Sequence, residues 1–201
     1  MWTLSACNSE KKETLPFYND ASFTPVFLTT KQAEAEITHT ITPFSCTDQN
    51  GVNITLSDVA NKIHVANFFY TTCNSICPVM NSKLASVVNT FAEDSDIVFL
   101  SFSVTPWMDS VEALQMYAMH AGSNNPRWHF LTGETQQIYD LARNGYFAEE
   151  LEGMTKDSSD FVHTEHVLLV DKAGRIRGIY NGTLDTEMQQ LEKDIRTLKK
   201  N

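Results

Sequence analysis

The chain has 201 residues, 42% of them apolar and 20% charged, enough for one core of ordinary size with or without a tail. Its formal charge of −10 at pH 7 argues against nucleic-acid binding and against docking on anionic lipid by charge, both of which need clustered Lys and Arg. No apolar run approaches the ~20 residues of a membrane-spanning helix, and four cysteines are too few for a disulfide scaffold.

Leu4-Ser5-Ala6-Cys7 resembles the lipobox at which bacterial lipoproteins are cut and lipidated on cysteine, and the polar stretch Asn8 to Asp20 suits a tether. Only six residues precede Cys7, without the basic and apolar segments of a signal peptide. A lipid-anchored Cys7 and a free thiol on a tail both stay open. Residues 8–36 carry few periodic signals and are punctuated by Pro16 and Pro25, so 1–36 reads as a tail and irregular lead-in, with one domain over 37–201. Ile41 to Cys46 and Val52 to Leu56 read as strands joined at Asn50-Gly51, a hairpin signal. Ile63 to Tyr70 is an apolar run suited to a buried central strand. Cys77 to Phe91 shows helical spacing at Val79, Leu84, Val87, Val88 and Phe91. Ile97 to Val104 follows as a strand. Asp109 to Ala121 is a helix facing inward through Leu114, Tyr117 and Ala118 and stopped by Gly122. Trp128 to Leu131 is a short strand and Glu134 to Arg143 a helix. His166 to Asp171 and Ile176 to Tyr180 flank the turn 172–175, and Leu184 to Lys199 is a terminal helix with Leu184, Met188, Leu191, Ile195 and Leu198 on one stripe. This order implies an α/β sandwich: a central mixed β-sheet flanked by helices, like the thioredoxin fold, with an N-terminal β-hairpin.

The chemistry concentrates at Cys73-Asn74-Ser75-Ile76-Cys77-Pro78, where a buried strand ends and a helix begins. Sites in open α/β sheets form beyond the carboxyl ends of strands. A helix N-terminus offers unpaired N–H groups and partial positive charge, which favour thiolates at both cysteines. Pro78 is tolerated there because first-turn N–H groups are unpaired anyway. Cysteines four apart at a helix start can share a face, and can then close a disulfide or chelate one ion. Three intervening residues, rather than the two of a thioredoxin-like redox pair, suit a metal. A buried inert pair or a structural disulfide is the plainer alternative. Cys46 reads as a packed apolar residue in a strand.

Of the six histidines, His39, His64, His120 and His129 read as core or surface residues without a partner signal. His163 closes a polar loop, 153–160, ahead of the last hairpin. In an extended segment His163 and His166 face opposite sides, so at most one joins the cysteines unless the backbone turns between them. Two thiolates with one imidazole form a soft set that suits Cu(I) and can hold Cu(II), whereas structural zinc normally takes four protein ligands.

Phe68 to Pro78, with Cys-x-x-x-Cys-Pro after an aromatic strand, resembles the Sco/SenC family of copper-binding proteins. So do Asp48-Gln49-Asn50-Gly51, Ser101-Phe102-Ser103-Val104, Trp128-His129-Phe130-Leu131-Thr132-Gly133 and His163-Thr164 ahead of Val170-Asp171-x-x-Gly174, in the same order. The resemblance covers about residues 37–199. It implies a thioredoxin-like fold in which Cys73, Cys77 and His163, not His166, bind copper. It also implies a copper chaperone or metallation factor, on the bacterial periplasmic side, that delivers copper to the CuA or a related site of cytochrome c oxidase. The alternative function is a thiol–disulfide reductase that keeps an acceptor's copper-ligand cysteines reduced, itself served by a thioredoxin-like reductant. The chain departs from the family at Thr105-Pro106, where an Asp-Pro is common, and Cys46 matches no ligand position. Without metal, Cys73 and Cys77 are expected to close an intramolecular disulfide, so copper loading should require prior reduction.

Overall fold

The fold is that of a computed structural model, which describes residues 14–148 and 165–200. The lipobox-like stretch ending at Cys7, the polar loop 153–160 and His163 lie outside the described residues.

The elements in chain order are α1 (Thr30–Glu36), β1 (Ser45–Asp48), β2 (Asn53–Thr55), the helical turn α2 (Leu56–Val59), β3 (Ile63–Phe69), α3 (Ile76–Thr90), β4 (Ile97–Ser103), α4 (Val111–His120), β5 (Trp128–Thr132), α5 (Thr135–Asp140) with a π-helical turn Leu141–Gly145, β6 (His166–Val170), β7 (Ile176–Asn181) and α6 (Asp185–Lys199). The strands form one sheet in the order β2-β1-β5-β4-β3-β6-β7. β3 runs parallel to β4, and β4 to β5, while the remaining pairs are antiparallel. A mixed sheet covered by helices on both faces is the thioredoxin-like arrangement that the element order implies.

The period of two along a strand selects which layer each side chain enters. Ile63, Val65 and Phe69 of β3 join Phe99, Val167 and Leu169 under α3, α4 and α6. Ala66 and Phe68 join Leu100, Phe102, Leu168 and Val170 under Ile138, Leu141 and Tyr146. All seven residues of β3 and of β4 are buried, which is why these strands read as mostly apolar runs rather than alternating ones. The first hairpin turns where Asn50-Gly51 places it. Gly51 has φ +76°, a region that glycine enters without a Cβ clash, and the Asp48 carboxylate accepts the N–H groups of Asn50 and Val52.

Three sequence readings are corrected by packing. Residues 14–36 are not irregular throughout: α1 is closed by a capping box between Thr29 and Gln32, and Leu15 and Phe17 are buried. Phe17 bridges to Val26 and Tyr18 to Ile176, so the lead-in lies along β7. Val79 points to solvent and Met80 takes the inward position, because the core stripe of α3 runs Cys77, Met80, Leu84, Val87, Val88. Leu184 caps α6 rather than joining its stripe, and is 49% exposed.

Candidate metal centre

β3 ends at Phe69 and the chain reverses through a turn closed by the Cys73 N–H donating to the Tyr70 carbonyl (3.2 Å). α3 then starts at Ile76. Its N-cap residue, Ser75, makes no side-chain capping bond. The Cys73 sulfur fills that role, accepting the Cys77 N–H at 3.4 Å, with the Ser75 hydroxyl 3.9 Å away. An unpaired first-turn N–H thus meets a soft acceptor at the positive end of the helix. Neither cysteine is in a disulfide and both are buried, in one core cluster with Phe69, Met80 and Phe130.

The expectation that both thiols ionise readily holds for only one of them. Burial raises the Cys73 thiol, but hydrogen bonds from the backbone of Cys77 and Ser75 and from the Cys77 and Tyr70 side chains outweigh it, bringing Cys73 down to about 6. Cys77 sits deeper. Burial pushes it up to about 12, and the proton it shares with Cys73 and the charge there push the same way. Charging one sulfur makes charging its neighbour harder.

Beneath the pair runs a buried polar chain that sequence reading did not single out. The Trp128 indole N–H donates to the Ser101 hydroxyl (2.9 Å), which donates to the Asn67 side-chain oxygen (2.6 Å). The Asn67 amide donates to Asn81 (3.3 Å), and the Asn81 amide to the Tyr117 hydroxyl (2.9 Å). Burial, and then the nearby Cys77 charge, raise the Tyr117 phenol. The sequence signal was a lone Asn inside an apolar strand, since a buried amide requires partners. Asp109 was equally unmarked. It is fully buried and accepts the Thr71 N–H (3.3 Å) and the hydroxyls of Thr71 (2.5 Å), Ser103 (2.5 Å) and Thr105 (3.0 Å).

Among the described residues, no cluster of three or more His, Cys, Asp or Glu side chains could hold a metal, so Cys73 and Cys77 stand as two donors of an incomplete set. Their softness fits copper, and the third donor the resemblance names, His163, is not described. The other histidines lie elsewhere. His64 meets the Tyr146 hydroxyl (3.0 Å), and His129 pairs with Asp48 (3.0 Å). His39 meets the Gly145 carbonyl (2.8 Å), and His120 is exposed at the end of α4. His166 has the parity of Leu168 and Val170, which enter the layer opposite the cysteines, and its ring stands edge-on to Phe23. Cys46 belongs to that opposite layer too, with its thiol 3.9 Å from the Gln137 side-chain oxygen and pushed up to about 12 by burial. β6 pairs antiparallel to β3 with Val167 opposite Asn67. The chain therefore enters β6 at the end of β3 from which the cysteine turn leaves.

The sequence matches the model of a family described as SCO1/SenC over residues 32–200. It is 26% identical over 169 residues to the SCO1 protein homolog of Bacillus subtilis, covering 83% of this chain and 86% of that protein. Its fold is similar to a solved structure described by a disulfide switch in BsSco, a member of the Sco family of cytochrome c oxidase assembly proteins (TM-score 0.65, 26% identity, 81% of this chain and 94% of that one). It is also similar to that of Bradyrhizobium japonicum ScoI with copper bound (TM-score 0.62, 22% identity, 79% and 99%).

Proposed function

The chain belongs to the SCO1/SenC family, and from that membership together with the thiol geometry we propose that it carries one copper ion on Cys73, Cys77 and His163. The cargo goes to the copper-bearing subunit of cytochrome c oxidase or another copper acceptor. The observation that carries the reading is the Cys73 sulfur held 3.4 Å from the Cys77 N–H at the start of α3, which brings two soft donors into one helical turn. The entry of β6 beside the cysteine turn supports His163, since two residues ahead of Glu165 lie within about 7 Å of chain reach. Cys73, ionised above about pH 6, supplies one thiolate directly, and copper displaces the proton of Cys77 on binding. Delivery would take place on the periplasmic side of a bacterial envelope, with Cys7 as the lipid attachment point.

The test is metal analysis of protein purified reduced and anaerobic. Wild type and His166→Ala should hold one copper per chain, and so should Cys7→Ser/Cys46→Ser. Cys73→Ser and Cys77→Ser should hold none tightly. His163→Ala should bind more weakly with an altered Cu(II) absorption spectrum. Unchanged binding and spectrum in His163→Ala would overturn the ligand set.

A second reading rests on the asymmetry of the pair. Cys73 is a thiolate at neutral pH and Cys77 a protonated thiol, the arrangement of an attacking and a resolving cysteine. Cys73 would attack an acceptor's disulfide and release one thiol. Cys77 would then close the Cys73–Cys77 disulfide and release the second, and an external thioredoxin-like dithiol would reset the pair. Cys77→Ser should trap a mixed disulfide with the acceptor, and His163→Ala should leave this activity intact.

A further inference from the structure

We infer that Asp109 is a positioning residue for the cysteine pair, acting through Thr71. The inference rests on Cys73 and Cys77 being the working groups of this protein. Asp109 lies one residue before the N-cap of α4, Ser110, and its carboxylate is fully buried. Among the described residues no cationic side chain pairs with it. A buried carboxylate is tolerated only when hydrogen bonds replace its lost water, and four donors do so here. Two come from Thr71, its N–H and its hydroxyl, and the others are the hydroxyls of Ser103 and Thr105. Thr71 is the second residue of the turn whose closing bond runs from the Cys73 N–H to the Tyr70 carbonyl. Ser103 is the last residue of β4, and its hydroxyl also accepts the Thr105 N–H.

One carboxylate thus ties the turn that places Cys73 to the rigid end of the neighbouring parallel strand. The connection runs Asp109, Thr71, the turn, the Cys73 sulfur, the Cys77 N–H. Thr105 belongs to the same arrangement: where the family often has an aspartate, this chain puts a hydroxyl that donates to Asp109 rather than a second negative charge. Asn in place of Asp keeps the size but not the chemistry. Its single oxygen can take the place of Oδ2, which accepts the Thr71 N–H and the Ser103 and Thr105 hydroxyls, but its NH2 group then stands where Oδ1 accepts the Thr71 hydroxyl.

Loosening the turn lowers the effective concentration of the Cys73 sulfur at Cys77. The equilibrium to measure is the reaction of metal-free dithiol protein with oxidised glutathione, giving the Cys73–Cys77 disulfide and two reduced glutathiones. Asp109→Asn should make that disulfide about tenfold easier to reduce, and Thr71→Val should do nearly the same. The double variant should be no worse than the larger single change, because both act on one connection. Thr71→Ser, which restores the hydroxyl, should restore the wild-type equilibrium. Ile195→Val, buried on α6, should lower thermal stability and leave the equilibrium alone. A folded Asp109→Asn protein within twofold of wild type overturns the inference, as do additive effects of Asp109→Asn and Thr71→Val. Should Asp109→Asn not fold, Thr71→Val decides, and an unchanged equilibrium there, or no rescue by Thr71→Ser, overturns it equally. The copper reading is tested separately by whether the reduced wild-type protein binds copper at all.

Discussion

Three residues of chain separate Cys73 from Cys77, yet at pH 7 the two hold different protonation states. The difference is one of depth and donors rather than of residue type. Cys73 collects backbone and side-chain donors at the mouth of the helix, while Cys77 sits one turn further in. Iodoacetamide should therefore modify Cys73 before Cys77, with a rate that rises through about pH 6 and is flat by pH 8. Mass mapping of the reduced, metal-free protein over this range checks it, and equal modification of both cysteines at pH 7 would contradict it. His64 makes a second titration visible, in stability. Burial holds its imidazole down at about 3, so the folded protein keeps it neutral while the unfolded chain protonates it near pH 6.5. The unfolded state then binds the extra proton between these values. The stability His64 contributes is complete above about pH 6.5 and is lost as pH falls toward 3, at up to ~1.4 kcal/mol per pH unit. Urea unfolding from pH 7.5 to 4 should show a shallower acid loss in His64→Gln than in wild type.

α3 carries Cys77 and a large share of the core. Its inward stripe, from Cys77 through Met80 to Leu84, Val87 and Val88, means that the packing holding the helix also sets the depth of Cys77. Leu84 is almost completely buried, and Leu84→Ala should cost about 2–5 kcal/mol in urea unfolding through the lost contacts and the cavity left behind. Val79 is 44% exposed on the other side of the same helix, and Val79→Ala should stay within about 0.5 kcal/mol. A loss of several kcal/mol at Val79 would mean that the helix is rotated from the arrangement described. On the opposite face of the sheet, the π-helical turn after α5 ends at Gly145, whose carbonyl accepts His39. An added Cβ at Gly145 would meet a Leu141 methyl at 2.9 Å and the Thr42 hydroxyl at 3.2 Å, so space rather than φ favours glycine here.

Across the whole molecule, the N-terminal lead-in is held by contacts far away in sequence. Phe17 is buried, and the Arg177 guanidinium lies 3.7 Å from its ring centroid while donating to the carbonyls of Leu15 and Pro16. Asp171 pairs with both Arg175 and Arg177 and so orients the cations beneath the lead-in. Phe17→Ala should cost about 3–5 kcal/mol in chemical denaturation. A chain starting at residue 37 should unfold at lower temperature than one starting at residue 14, and equal transition temperatures would show that the lead-in contributes nothing.

The sequence by itself determined the order and type of the central elements, because β3 and β4 are long, mostly apolar runs and α3 and α6 keep a helical period. It also placed the cysteine pair, because Cys-x-x-x-Cys-Pro falls where a strand run ends and a helical period begins. Tertiary structure alone decided the rest. The lead-in packs through isolated Leu15 and Phe17 without any period, and which of Val79 and Met80 points inward depends on where β3 and the turn at Gly182 lie. The split between the two thiols follows from burial and donor geometry. Asp109, an acid just ahead of a helix, becomes a partner of Thr71 only when β3 and β4 lie side by side. Local pattern encodes period and residue type. Burial and long-range hydrogen bonds arise only when segments distant in sequence meet, and those terms set the protonation and placement of the cysteines.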